Sequence, residues 1–468
     1  SYATAAQLSA GGRDDGEQTV GKLWEQAAEA ALDTADVAAA IEHAGQARVY
    51  YLQNGSTRAA ARAQATAGGA LVWQGRHTEA REQLTAALEV LRAEPDTDTV
   101  RALMGVTSLE VHSGSAEVDR ITAEALSLGQ ALDIDAGRLA SLLGNRGVYH
   151  VIAGRRPQGI AYLREAARLA EQCGDTRRLG GVLLNLSDVL SVTDPAAAAD
   201  TARTAARQLR RIGDRFSLPY VILNLVCALL ELGDWDAAGR ELAEALDADG
   251  LADIEIVACY PGWLAAMRGD ANAAEAVLAA VGELKDTEDL QDKATIGLVE
   301  AFTATARGRP ADALRHARGL LANADTIGIS GESLRWAWPL AARAAYELRD
   351  AAATGELLAL LDSYQPGNLA PMQRAERDLV RARIADQDGD QAATETFAAA
   401  IDGLRKQSTP YHLAQGLLDQ AQYLRRAGDA EAAAAAIDEA RAIARQLGCQ
   451  PLLDRADAME PAETRARA

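Results

Sequence analysis

Apolar positions along the chain follow a helical spacing, and the helical stretches themselves recur. Ala80, Leu84 and Ala87 form one such stripe, and Gly159, Leu163 and Ala166 form the next. Ala238, Leu242, Ala245 and Ala433, Ile437, Ala440 repeat it further on. The spacing i, i+4, i+7 places each trio on one face of a helix. Before each stripe stands a polar turn, centred near Ala35, Gly75, Gly114, Gly154, Asp194, Gly233, Gly269, Gly308, Arg349, Asp388 and Gly428. Successive turns lie 36 to 41 residues apart. A fixed period in that range is the mark of stacked structural units.

Each unit reads as two helices joined at that turn. A glycine there accepts the left-handed backbone that ends a helix. The aspartate that follows in Gly233-Asp234, Gly269-Asp270 and Gly428-Asp429 suits the N-cap of the next helix. A second set of breaks separates one pair from the next, as at Gln53-Asn54-Gly55, Glu94-Pro95, Cys173-Gly174-Asp175 and Ile212-Gly213-Asp214. The small members of each stripe let the two helices approach closely.

A small residue seven places before the turn glycine, followed by small, large and small after it, resembles the tetratricopeptide repeat. Gly147 before Gly154 and Ala421 before Gly428 show this pattern. The longer unit is similar to the C-terminal arrays of bacterial multidomain signalling ATPases, including LuxR/MalT-type regulators and ATPases associated with class III adenylate cyclases. The resemblance implies an all-α, α-α superhelix (a TPR-like solenoid) of about eleven helical hairpins. It also implies that the first helix of each hairpin lines a concave side. The expected organisation is a flexible arm over 1–20, a single superhelical domain over 21–460 and a disordered tail over 461–468.

Composition narrows the function. Aromatic residues make up 4% of the 468, which disfavours sandwiches and barrels. Forty-seven Lys+Arg against 67 Asp+Glu leave a net charge of −20. Such a surface repels phosphate backbones, so direct nucleic-acid binding is not expected. No run of about 20 apolar residues offers a membrane span. Cys173, Cys227, Cys259 and Cys449 form no CxxC pair, which fits reduced thiols and a cytoplasmic location.

Catalytic motifs are sought and not found. Gly16 to Leu23 has the spacing of a phosphate-binding loop, but Leu23 replaces the magnesium-holding hydroxyl and no apolar strand precedes it. The six histidines are scattered, with no HExxH and no Cys/His cluster, so neither a metal nor a cofactor is expected. Paired acids such as Asp14-Asp15 and Glu288-Asp289 read as solvated turns.

Two features stand out on the first helices. Pro261 and Pro339 fall inside helical patterns, where proline removes a donor. Large aromatics flank them: Tyr260 and Trp263, then Trp336 and Trp338. In the usual register Tyr220, Trp263, Phe302 and Trp336 face the groove, as an aromatic lining or as filling for larger core gaps. The second feature is a ladder of Asn145, Asn185 and Asn224, which could hold an extended peptide or bond a neighbour within the stack. Arg146 and Asp188 beside it are candidate specificity charges.

The expected function is a non-catalytic recognition and sensor module, the C-terminal regulatory part of a bacterial signalling ATPase. It would bind a protein, peptide or small effector in its concave groove. One alternative is a free-standing adaptor that assembles protein partners. Another is an enzyme using the aromatic pocket, for which the sequence shows no nucleophile or base.

Overall fold

The computed structural model describes residues 4, 17–33, 36–111, 116–215, 217–251, 254–281, 287, 289–390 and 392–459. Twenty-four α-helices and no strand occur among them. The fold is an all-α, TPR-like repeat of helical hairpins. The chain divides into two compact units, Ser1–Leu186 and Ser187–Ala468. Of the expected arm, Glu17 to Val20 belong to the first helix. The remainder apart from Thr4, with the phosphate-loop Gly16 and the expected tail, lies outside the described residues.

In the first unit α1 (Glu17–Asp33) pairs with α2 (Val37–Gln53) and α3 (Thr57–Trp73) with α4 (His77–Leu91). Then α5 (Thr97–Glu110) pairs with α6 (Ala116–Ala131) and α7 (Ala136–Ile152) with α8 (Arg156–Gln172). The unit boundary falls inside α9 (Thr176–Ser191). The second unit holds α10 (Pro195–Ile212), then α11 (Leu218–Leu232) with α12 (Trp235–Asp247) and α13 (Glu255–Arg268) with α14 (Ala271–Ala280). Next come α15 (Leu290–Ala306) with α16 (Pro310–Leu321), the short α17 (Ala324–Ile327), and α18 (Glu332–Glu347) with α19 (Ala351–Asp362). It ends with α20 (Pro371–Gln387) and α21 (Ala393–Gln407), α22 (Pro410–Ala427) and α23 (Ala430–Leu447), and a closing helix α24 (Gln450–Ala458).

The local chemistry explains these boundaries. Gly75, Gly154, Gly233, Gly269, Gly308 and Gly428 all take positive φ at the turns read from the sequence. Asp234, Asp270 and Asp429 each accept the N–H three residues on, at 3.1, 3.0 and 3.0 Å, and so cap α12, α14 and α23. The predicted stripes are the inter-helix seams. Ala80, Leu84, Ala87, Leu163, Ala166, Ala238 and Ala245 are fully buried. At the α7–α8 crossing a Cβ on Gly147 would lie 3.0 Å from the Gly159 carbonyl oxygen, so the backbones touch.

Helices α13 and α18 run on through Pro261 and Pro339, each of which denies a donor to the carbonyl four residues earlier. The second unit also bends back on itself. Glu231 of α11 pairs with Arg335 of α18 at 2.6 Å, 104 residues later. The Cys449 thiol meets the Met267 carbonyl at 3.2 Å, 182 residues apart. Gly233 and Gly269 leave room for Pro410 and Pro451, each within 3 Å of where a Cβ would sit.

Candidate functional site

The aromatic residues singled out from the sequence meet inside the second unit. Trp263 and Trp336 stand edge to face at 5.4 Å, with Phe302 6.1 and 6.2 Å from them. Tyr411 of α22 joins Trp336 at 6.2 Å and Trp235 at 5.8 Å. Trp263, Phe302 and Trp336 are buried to 2% exposure or less. They pack ring against ring between α13, α15, α18 and α22. Trp338 points the other way and donates its indole N–H to the Leu357 carbonyl at 2.8 Å. Tyr220 alone of this set is half exposed, and burial of its other half beside Asp292 and Asp289 raises its pKa.

Two members of the asparagine ladder, Asn145 and Asn224, stitch neighbouring helices. Asn145 donates to Ser108 Oγ at 2.9 Å and Thr107 Oγ1 at 3.1 Å. Asn224 donates to Ser187 Oγ at 3.1 Å, 37 residues back. The residue 37 places before Asn185 is Val148, which has no hydroxyl to offer, and Asn185 is exposed. Arg146 pairs with Asp119 at 3.0 Å and lies over the Tyr162 ring at 5.1 Å. Asp188 is exposed on α9.

A different ladder makes the site. Arg343 on α18, Arg383 on α20 and Arg455 on α24 converge on the buried Asp419 of α22. Arg343 Nη2 donates to Asp419 Oδ2 at 2.7 Å and Arg383 Nε to the same oxygen at 2.8 Å. Arg455 donates to Oδ1 and to Gln415 Oε1, the latter at 2.9 Å. The guanidinium of Arg383, itself 2% exposed, stacks on Tyr346 at 5.3 Å. Its Nη1 is buried with no hydrogen-bond partner. Three guanidiniums hold the Asp419 carboxyl well below its ordinary range, against the burial that would raise it. Burial dominates for nearby Glu376, whose pKa rises to about 7 although Arg383 and Arg343 pull it back. Glu376 Oε1 has no partner either. His412, with Nδ1 2.7 Å from Thr409 Oγ1, is held neutral by burial and by Arg343, its pKa falling to about 3.

Two clefts open onto this cluster. One, a narrow recess of about 40 Å³, is walled by Phe302, Trp336, Pro339 and Leu340 with Glu376 and Arg343. The other, of about 770 Å³, is walled by Arg343, Arg383, Arg426 and Arg455 with Tyr346 and Gly355. Arg343 and Glu347 belong to both. Of the aromatic, proline and ladder residues singled out from the sequence, Phe302, Trp336 and Pro339 reach a cleft wall here. The arginine ladder was legible in principle, since its members stand 76 and 36 residues from Asp419 on one side and 36 on the other. In a chain with 43 arginines that spacing is easily overlooked.

No family model matches the chain, and no curated protein matches it significantly. Solved helical-repeat proteins do. A Rap protein complexed with competence and sporulation factor is 11% identical over 83% of this chain and 98% of its own, with a TM-score of 0.46. The apo quorum sensor NprR from B. thuringiensis is 9% identical over 81% and 97%, with a TM-score of 0.44. Human IFIT1, solved as a dimer with m7Gppp-AAAA, is 13% identical over 85% and 89%, with a TM-score of 0.46. These are likenesses of repeat architecture, and they transfer no ligand.

Proposed function

We propose that the chain is a non-catalytic recognition module whose second unit receives its ligand in the paired clefts around Arg343 and Asp419. The observation that carries this reading is the meeting of an apolar and a guanidinium-lined wall at one residue, Arg343, over a buried charge cluster. Concave sites with a few convergent polar groups are where ligands bind. The reactive side chains nearby are disarmed. Burial raises the Cys227 thiol well above its usual value and takes Cys449 to about 12. His412 is neutral and tied to Thr409. An enzyme reading would have to use Glu376, the one group there that ionises near neutral pH.

A steric block tests the reading. Gly355 lines the larger cleft, and a Cβ there meets nothing within 4 Å. Peptide and metabolite libraries are screened by thermal shift against the wild type and Gly355→Phe. Ligands that raise the wild-type midpoint should lose most of that shift in the variant. Equal shifts in both proteins would place binding elsewhere. Turnover of any library compound that disappears in Glu376→Gln would favour the enzyme.

As a finer reading, the module serves as the sensor of a larger signalling ATPase of the LuxR/MalT or adenylate cyclase-linked kind. Its support is the repeat pattern in the sequence. A nucleotide-binding loop encoded upstream of Ser1 would agree with it, and an unrelated upstream domain would not.

A further inference from the structure

Donors and acceptors are unevenly shared where the two clefts meet. Asp419 accepts five N–H groups from Arg343, Arg383 and Arg455, two on Oδ1 and three on Oδ2. A carboxylate offers about four lone-pair sites, so one donor is surplus. Arg343 supplies two of the five, one to each oxygen. Glu376, by contrast, has a buried Oε1 that accepts nothing. Arg343 and Glu376 both line the narrow recess. Its volume of about 40 Å³ holds roughly two or three water molecules, and so has room for the head of a turning guanidinium.

The charges facing Glu376 set the direction of such a turn. Its own helix α20 contributes Arg383, α18 contributes Arg343 and Glu347, α22 contributes Asp419, and α24 contributes Arg455. Tyr411 and His412 also line the recess and stay neutral, because burial pushes the first up and holds the second at about 3. Arg309 of the recess pairs with Glu275 and Asp312. With Glu376 protonated, three guanidiniums stand against the carboxylates of Asp419 and Glu347. With Glu376 ionised, three stand against three. Burial raises Glu376 to about 7, so both charge states are populated near neutral pH. A buried carboxylate oxygen without a partner is costly, and Arg343 is the donor placed to answer it. Arg383 is 2% exposed and stacked on Tyr346, whereas the Arg343 side chain keeps 14% exposure and belongs to both clefts. Once Arg343 leaves, Asp419 keeps three N–H donors, within its capacity.

We propose that Arg343 is a proton-gated arm. With Glu376 protonated it lies on Asp419 in the wall of the larger cleft, and with Glu376 ionised it turns into the recess and pairs with Glu376. The larger cleft thus loses a guanidinium from its wall as pH rises, which makes binding there pH-dependent. That consequence rests on the reading of the clefts as the recognition site, and the movement itself does not.

The test needs no ligand. Near-ultraviolet circular dichroism of the full chain reports Trp336 and Phe302 in the recess wall, and the infrared carbonyl band of a protonated carboxyl group reports Glu376. Both are followed from about pH 5.5 to about 8.5, a span in which ordinary carboxyl groups are already largely ionised. The wild type should show a one-proton change in both signals with a shared midpoint near 7. Glu376→Gln should remove that component from both and keep the low-pH aromatic spectrum. Burial raises Glu231 and Glu332 as well, so comparison with this variant isolates Glu376. Arg343→Met should still show Glu376 ionising, at a higher pH, with no aromatic change in step. Crystals grown at the two ends of the range should place Arg343 on Asp419 at low pH and on Glu376 at high pH. Should Arg343→Met fail to fold, Glu376→Gln and the two crystal structures decide. An aromatic change identical in wild type and Glu376→Gln, one that still tracks Glu376 in Arg343→Met, or Arg343 on Asp419 at both ends overturns the proposal. Each of these results leaves the recognition site tested by Gly355→Phe standing. An ineffective Gly355→Phe, in turn, leaves the proton-gated arm standing.

Discussion

Arg349 occupies a turn where most hairpins have glycine, and its φ of 55° is left-handed. A side chain there strains the backbone by about 1–2 kcal/mol. Arg349→Gly should therefore stabilise the protein by about 1 kcal/mol in urea unfolding, offset in part by glycine's extra unfolded-state entropy. Glu376 sets a pH dependence of the opposite kind to a paired surface acid. Its pKa rises from 4.5 to about 7 on folding, so the native state keeps a proton that the unfolded chain loses. Stability from this residue falls as pH rises from about 4.5 to about 7, by the order of 3 kcal/mol. Glu376→Gln should flatten that decline in pH-dependent melting. Burial shifts Glu231 and Glu332 upward as well, so some slope remains. Asp419 acts in reverse, since its contribution is lost only when pH falls through its own depressed value. None of these shifts is readable from sequence, because each depends on which guanidiniums converge from separate helices.

At the scale of helices, small residues matter only where two helices cross. A methyl on Gly147 would sit 2.7 Å from Leu163 Cγ and 3.0 Å from the Gly159 carbonyl oxygen. Gly147→Ala should destabilise by about 1–3 kcal/mol through overpacking. Gly181 on α9 has nothing within 4 Å of its would-be Cβ, so Gly181→Ala should instead gain about 0.5–1 kcal/mol. Chemical denaturation of the pair reads the contrast. The seams themselves were visible in the sequence as the small–large–small stripes, since burial on a helix repeats with its turn. The direction of the aromatics was not. Trp263 carries the same helical signature whether it lines a groove or fills a core. With Trp263 at 1% exposure, Trp263→Ala should cost about 3–5 kcal/mol, measured by unfolding.

In a simple stack each repeat touches only its neighbours, and stability spreads evenly along it. The second unit departs from this. Pro451 of α24 seats at Gly269, Cys449 bonds Met267, and Arg455 completes the shell around Asp419. Truncation after Gly448 should therefore act far from the cut. It removes the buried Leu452 and a charge-assisted hydrogen bond, together worth roughly 3 kcal/mol or more. Hydrogen exchange should accelerate in α13 as well as in α22 and α23. Exchange confined to the last hairpin would mean that the closing contacts contribute little.

The hairpins, their turns and their seams were written in the sequence alone, because each depends on residues within about 40 positions of one another. Glycine at a left-handed turn, aspartate at the next N-cap and a small–large–small stripe act locally and recur. What only the tertiary structure decided is what the inner faces of the helices meet. That depends on packing between residues as far as 182 positions apart. Such packing buries Trp263 and Trp336 and draws three arginines onto one aspartate beside two clefts.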